Sequence, residues 1–159
     1  MAKRPAHPES PASTHVSRHL ISVSSAVRIF ARRELESRGH QPSAAISLIV
    51  TNLPPDGLGM SALARRAGLS LQRAGQLVGE LEDAGYVERI ADPNDGRARR
   101  AVYTARGQHL LDDIEAINDA VTAKLIDQLG QDRFWRLLGD LSELDTALGN
   151  KDGLRIVLG

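Results

Sequence analysis

The chain has 159 residues, of which 42% are apolar and 25% charged, an ordinary composition for a globular protein. Cysteine is absent, which excludes disulfides, thiolate metal sites and cysteine redox chemistry. The net charge is zero, but residues 1–106 carry 15 basic against 10 acidic side chains while residues 107–159 carry 5 against 10, so a local basic face for nucleic acid is not excluded.

The N-terminal part predicts a tail followed by two helices. Residues 1–13, with three prolines among small polar residues, are typical of a disordered tail. Thr14 can cap a first helix that runs to about Arg38, because apolar residues recur there at steps of four and three: Val16, Leu20, Val23, Val27 and Phe30. A second helix is predicted to begin at Pro42 and Ser43 and to end at the proline pair 54–55.

Two short helices and a hairpin follow. The third helix is predicted from Ser61 to Gly68, and the fourth, capped by Ser70, presents a buried face of Ala74, Leu77, Val78 and Leu81. Their close spacing is that of a helix-turn-helix. Short strands at 87–90 and 101–103 flank Asp-Pro and Asp-Gly turn dipeptides, which predicts a β-hairpin wing with three basic residues: Arg97, Arg99 and Arg100.

The last third of the chain predicts two long amphipathic helices. Thr104 can cap the first of them, whose apolar residues are Leu110, Ile114, Ile117, Val121 and Leu125. The second follows Gly130 and repeats the pattern with Phe134, Leu137, Leu141, Leu144 and Leu148.

The predicted fold class is mainly α with a small β-hairpin wing. A winged helix-turn-helix DNA-binding domain is assigned to residues 41–106, a helical dimerisation region to residues 14–40 and 107–149, and a C-terminal tail to residues 150–159. Because the N- and C-terminal helices need cover for their apolar stripes, we expect a twofold dimer rather than a monomer with a helical subdomain. The residues predicted at the dimer interface are Val16, Leu20, Val23, Leu125, Phe134, Leu137, Leu141 and Leu144.

The wing carries the resemblance to a known family. Residues 92–98 (DPNDGRA) followed by 104–107 (TARG) are similar to the D-P-x-D-x-R-A…T-x-x-G pattern of the MarR family of bacterial transcriptional regulators, and segments 61–70 and 81–89 extend the resemblance. It covers about residues 14–148. The resemblance implies a homodimer with one winged helix on each half-site, and release from DNA when a small ligand, often a phenolic or aromatic acid, binds between the dimerisation and DNA-binding regions.

Candidate DNA contacts lie at the helix starts, on the outer face of the fourth helix and on the wing: Ser61, Ser70, Gln72, Arg73, Gln76, Arg97, Arg99 and Arg100. Glutamine suits adenine and arginine suits guanine in the major groove, although plain surface polarity explains each helix side chain nearly as well. Arg97 is expected in the minor groove or on phosphate, with Asp95 positioning it; pairing with Asp95 alone is the alternative.

The fourth helix departs from the family pattern. The position of Gln76 is usually basic in the family and that of Gly75 is usually a small hydroxyl residue. Gly75 and Gly79 each cost about 1 kcal/mol of helix propensity relative to alanine. Either the helix backbone approaches DNA very closely, or this helix reads sequence weakly and the wing carries more of the binding.

Other chemistry has little support. His15 and His19 have a metal-ligand spacing but no third ligand nearby, and no catalytic or cofactor motif is present, so neither a metal, a cofactor nor an enzyme is predicted. His19 or Arg28 is the candidate to hold an anionic effector between the first, second and fifth helices. No apolar run approaches the roughly 20 residues of a membrane span, and no signal sequence follows Lys3 and Arg4, so a cytoplasmic protein without membrane contact is expected.

The sequence therefore predicts a dimeric regulator, more specifically a repressor, that binds a palindromic operator in double-stranded DNA and is released by a small effector. The alternative is an interaction module that keeps the winged-helix fold but has weak or lost sequence-specific binding.

Overall fold

The computed structural model describes residues 16–92 and 95–148, with the side chains of residues 95–97 outside the description. Six helices and three strands make up this part of the chain: α1 (Val16–Ser37), α2 (Ala44–Asn52), β1 (Leu58–Gly59), α3 (Met60–Ala67), α4 (Leu71–Asp83), β2 (Val87–Asp92), β3 (Asp95–Tyr103), α5 (Ala105–Leu129) and α6 (Gln131–Ala147). The two predicted tails and the proposed cap Thr14 lie outside the described residues. The mainly helical fold class with a small wing is confirmed.

Side-chain caps start three of the helices. The hydroxyl of Ser43 accepts a hydrogen bond from the Ile46 amide at 3.2 Å, and that of Ser70 accepts from the Arg73 amide at 3.1 Å. Thr104 does the same for the Gly107 amide at 3.0 Å. Each bond satisfies an amide that has no partner within its own helix, which is why serine and threonine are favoured there. The predicted caps Ser70 and Thr104 are confirmed.

The wing belongs to a three-stranded antiparallel sheet in the order β1-β3-β2. Strand β1, which the sequence analysis missed, pairs Leu58 with Ala101 and Gly59 with Arg100. The turn before it needs glycine: Gly57 has a φ of +81°, and a Cβ there would lie 2.6 Å from the Ala101 carbonyl oxygen. The sheet therefore ties the wing to the loop that precedes α3.

The main core lies inside the winged helix and extends into the long helices at one end. The predicted buried face of α4 is confirmed, since all four residues are 2% exposed or less: Ala74, Leu77, Val78 and Leu81. Ala31 and Leu35 of α1 and Leu110 and Ile117 of α5 join the same region of buried residues. The winged helix is thus packed directly on the C-terminal half of α1 and the N-terminal half of α5.

The rest of α1 and most of α6 are not covered by the described chain. Twelve large apolar residues of the described ranges are exposed, of which five lie on α1 and five lie on or directly after α6. Phe134 differs from the other predicted interface residues, because its side chain is buried within the protomer and contacts the exposed Trp135 edge-on, with ring centroids 5.1 Å apart. Leu125 and Leu141 are half-buried.

Candidate nucleic-acid interface

The outer face of α4 collects the predicted base-reading side chains. Helices α3 and α4 pack on each other through a short turn in which Gly68 adopts a left-handed φ of +68°. Gln72, Arg73 and Gln76 are all exposed on α4. The Arg73 guanidinium donates a 3.2 Å hydrogen bond to the Gln76 side-chain oxygen, so two of the three candidate side chains are in contact.

Two predicted contacts lie at helix starts. Ser61 is the second residue of α3 and is exposed, and Ser70 is exposed at the cap of α4. The cap role of Ser70 uses an acceptor lone pair of its hydroxyl, which leaves the hydroxyl proton available to a phosphate oxygen. A helix N-terminus also favours an anion electrostatically.

Arg89 joins the wing to α4, a link that the sequence analysis missed. Its guanidinium forms a 2.7 Å ion pair with Glu82 and donates to the Gly75 carbonyl, while its amide donates to Glu82 at 2.9 Å. A Cβ at Gly79 would lie 3.9 Å from the same guanidinium, and a Cβ at Gly75 would meet no described atom within 4 Å. Both glycines are half-buried on the side of α4 that faces Arg89, and packing within the described chain requires neither.

The two described wing arginines have different environments. Arg99 is exposed, whereas Arg100 donates to the carbonyl oxygens of Asp56 and Gly57 at 2.6 and 3.1 Å and lies 3.6 Å from the Asp56 carboxylate. Successive residues of a strand face opposite ways, which accounts for the difference between these two neighbours. Arg100 therefore holds the loop before α3 onto β3. Pro93 and Asn94 lie outside the described residues, as do the side chains of Asp95 and Arg97.

A partly buried polar cluster connects the winged helix to the long helices. Nε2 of His40 lies 2.9 Å from the Asp113 carboxylate of α5, and Nδ1 lies 3.1 Å from the Tyr86 hydroxyl, which follows α4. Because a carboxylate only accepts, Nε2 is the donor in the bond to Asp113. The pKa of Asp113 is held below its usual range, mainly by the 2.7 Å hydrogen bond from Arg38 and next by the hydrogen bond from His40. Residues far apart in sequence form this cluster, so no local pattern announces it.

Tyr103 anchors the end of β3 to the end of α2. Its hydroxyl donates to the Leu53 carbonyl at 3.1 Å. Burial raises the pKa of this phenol, since the charged form would lose its hydration. The group is therefore a permanent donor at neutral pH.

One small cavity lies between α1 and α2. It has a volume of about 160 Å³ and is lined on α1 by Arg28, Ala31, Arg32 and Leu35, and near the start of α2 by residues 42–44, 46 and 47. Arg28 thus lines a cavity as proposed, but His19 does not, and α5 does not contribute to the lining.

The described ranges 16–92 and 95–148 contain neither a metal-ligand cluster nor a membrane-spanning helix. Within them, no group of three or more histidine or acidic side chains is placed to hold a metal ion. No helix in the same ranges is long and apolar enough to cross a membrane.

Several known proteins resemble this chain in both sequence and fold. A model of the MarR family matches residues 48–98. The HTH-type transcriptional repressor Rv2887 of Mycobacterium tuberculosis is 35% identical over 112 residues, covering 62% of this chain and 81% of the repressor. The MarR family transcriptional regulator Sco3205 from Streptomyces coelicolor, crystallised in complex with DNA, is 25% identical with a TM-score of 0.61 and covers 88% of this chain and 93% of its own.

The fold also matches a more distant structure, RV1404 from Mycobacterium tuberculosis, with a TM-score of 0.72 at 18% identity over 91% of this chain and 99% of that one. Rv2887 is named as a transcriptional repressor and Sco3205 as a transcriptional regulator. The family model, the similar repressor and the DNA-bound regulator all agree with the helix-turn-helix and the wing described above. The chain belongs to the MarR family of transcriptional regulators.

Proposed function

We propose that this protein is a homodimeric repressor that binds a palindromic operator through two winged helices and leaves the DNA when a small anionic ligand binds. One observation carries the DNA-binding part: Gln72, Arg73 and Gln76 share an exposed face of α4 beside a basic wing. The naming of Rv2887 as a repressor and the DNA complex of Sco3205 support the same direction.

The proposed contacts divide between the grooves of the duplex. Helix α4 enters the major groove, where its amide and guanidinium groups match adenine and guanine edges. The wing reaches the backbone or the adjacent minor groove with Arg97 and Arg99, and Asp95 positions Arg97. Arg100 was also predicted to contact DNA; its bonds to Asp56 and Gly57 favour the role of holding the wing in place.

The dimer is proposed to form through residues 14–40 and 107–149. Val16, Leu20 and Val23 of α1 and Leu137 and Leu144 of α6 are exposed in the protomer. Apolar stripes of this size on two helices need cover, and a second copy supplies it with the symmetry that a palindrome requires.

The wing contact is tested by Arg97→Ala. Removal of one charge-assisted contact to phosphate is expected to weaken binding to a selected palindromic duplex about ten-fold and to lower the log–log salt slope by about one. The measurement is a fluorescence anisotropy titration at several salt concentrations. Arg133→Ala, which removes the same charge from the exposed first turn of α6, serves as the control and should keep the wild-type slope. An Arg97→Ala protein with wild-type affinity and slope would contradict the proposed role.

The same titrations separate this function from the alternative of an interaction module. A regulator binds the selected duplex far more tightly than a scrambled one at physiological salt, by a factor of about 10³ or more. A module with lost readout binds both duplexes equally, and only at low salt.

The cavity between α1 and α2 is the proposed effector site. Arg28 and Arg32 provide positive charge, and the N-terminus of α2 faces the same space with the nearly buried Ser47. A volume of about 160 Å³ admits only a ligand smaller than those of typical pockets of roughly 300–1,000 Å³, such as a single aromatic ring with a carboxylate. Because α2 packs against α4, a ligand here acts directly on the helix that meets DNA.

Salicylate is a suitable probe of this cavity. It is expected to weaken operator binding of the wild type several-fold, and by linkage the operator should weaken salicylate binding by the same factor. The double variant Arg28→Met, Arg32→Met keeps the apolar stems and should lose the response while retaining operator binding without ligand. If salicylate weakens operator binding equally in the wild type and the variant, its binding site is not the cavity between α1 and α2.

A further inference from the structure

We infer that Leu71 is a specificity-determining residue that reads the C5 methyl group of a thymine in the major groove; this rests on the proposed DNA-binding function. Leu71 is the first residue of α4 and its side chain is 55% exposed. It precedes Gln72 and Arg73 directly, so the first turn of α4 presents one apolar and two hydrogen-bonding side chains in succession.

The position of Leu71 on the helix favours contact with base edges. Side chains of an α-helix lean toward its N-terminus, so a side chain at the first position projects beyond the helix end. In helix-turn-helix proteins the N-terminal residues of the second helix are the ones that contact base edges. Leu71 therefore lies where readout is expected, although its side chain has no hydrogen-bonding group.

The surroundings of Leu71 are open and largely apolar. It lines a groove of about 370 Å³ between the starts of α3 and α4 and strand β3, together with Gly59, Met60, Ser61, Ala62, Ala98 and Arg99. Ser61 and Arg99 are the polar groups of this lining and are suited to phosphate oxygens. In such a groove the cationic side chain can bind a phosphate of the DNA strand while the apolar walls contact the methyl group of a thymine base.

The exposure of Leu71 is not explained by the proposed dimer. Among the twelve large apolar residues that are exposed in the described ranges, ten lie on or directly after α1 and α6, and Leu71 and Ile90 belong to the winged helix. A duplex offers one apolar group in its major groove, the thymine methyl, and none in its minor groove. Ile90 lies on the wing strand β2, so the major-groove contact falls to Leu71.

The test removes the methyl group without changing base pairing. A palindromic duplex is first selected from a random pool with the full-length protein, and each thymine is then replaced in turn by deoxyuridine, symmetrically in both half-sites. For the wild type, replacement at one thymine position should weaken binding by about four-fold for each methyl lost. For Leu71→Ala, the thymine and deoxyuridine duplexes should bind with the same Kd at that position.

Two further variants make the result specific. Leu71→Met keeps an apolar side chain of similar volume and should retain the preference for thymine. Ile90→Ala removes the other large apolar residue that is exposed on the described winged helix. The ratio of its Kd for the deoxyuridine duplex to its Kd for the thymine duplex should equal that of the wild type, even if both Kd values change. Wild-type binding that ignores deoxyuridine at every position, or a preference unchanged in Leu71→Ala, would overturn this inference while leaving the proposed function intact. Failure to select any specific duplex would overturn both.

Discussion

Gly107→Ala should destabilise the protein by at least about 3 kcal/mol, the upper end of ordinary overpacking. Gly107 lies in the first turn of α5, where a Cβ would fall 1.9 Å from the Tyr86 carbonyl oxygen and 3.0 Å from the Tyr103 ring. That oxygen accepts from the Thr104 amide at 3.1 Å, so it cannot move without breaking a backbone bond to the cap residue of α5. Since whole domains are stable by only about 5–15 kcal/mol, this loss is a large fraction of the free energy of unfolding and should lower the urea midpoint clearly.

Urea unfolding followed by circular dichroism measures this effect. Gly75→Ala is the matched control, because the added methyl group would meet no described atom within 4 Å apart from the backbone of its own helix and its chain neighbours. It should raise the free energy of unfolding by up to about 1 kcal/mol through helix propensity. If Gly107→Ala unfolds at the same urea concentration as the wild type, the close approach of α5 to Tyr86 is wrong.

Leu137→Glu should produce a folded monomer that binds the operator at least about 100-fold more weakly, since the avidity of two linked half-site contacts is lost. Leu137 is 44% exposed in the protomer, so a carboxylate there remains hydrated in the monomer. In the proposed dimer the same carboxylate would be buried without a partner, which is strongly unfavourable.

Light scattering after gel filtration and a gel shift measure the two consequences. Leu137→Met conserves volume and apolarity and should remain a dimer with nearly wild-type affinity. A Leu137→Glu protein that stays dimeric and binds normally would show that α6 does not form the interface.

The helices were predictable because their signals are local. Apolar periodicity placed all six within a few residues, and the caps Ser70 and Thr104 follow from one side chain and one amide three residues apart. The buried face of α4 was predicted correctly for the same reason. The alternation of Arg99 and Arg100 also follows from the period of a strand.

The features that sequence reasoning missed depend on distant partners. Strand β1 has two residues and exists only because it pairs with β3. The bond between His40 and Asp113 joins residues 73 positions apart, and the bond from Arg100 to Asp56 joins residues 44 positions apart. Arg89 and Glu82 are close in sequence, but a turn separates the helix from the strand, so no helical or strand spacing relates them.

The central claim is that two protomers read one palindrome through their winged helices. The most direct test is the stoichiometry and affinity of the full-length protein, by analytical ultracentrifugation at physiological salt, on three duplexes: a selected palindrome, the same duplex with one half-site scrambled, and one with both scrambled. We predict that two protomers bind the palindrome and that the affinity falls by about 100-fold or more when one half-site is scrambled. A single bound protomer, or equal affinity for all three duplexes, would contradict the claim.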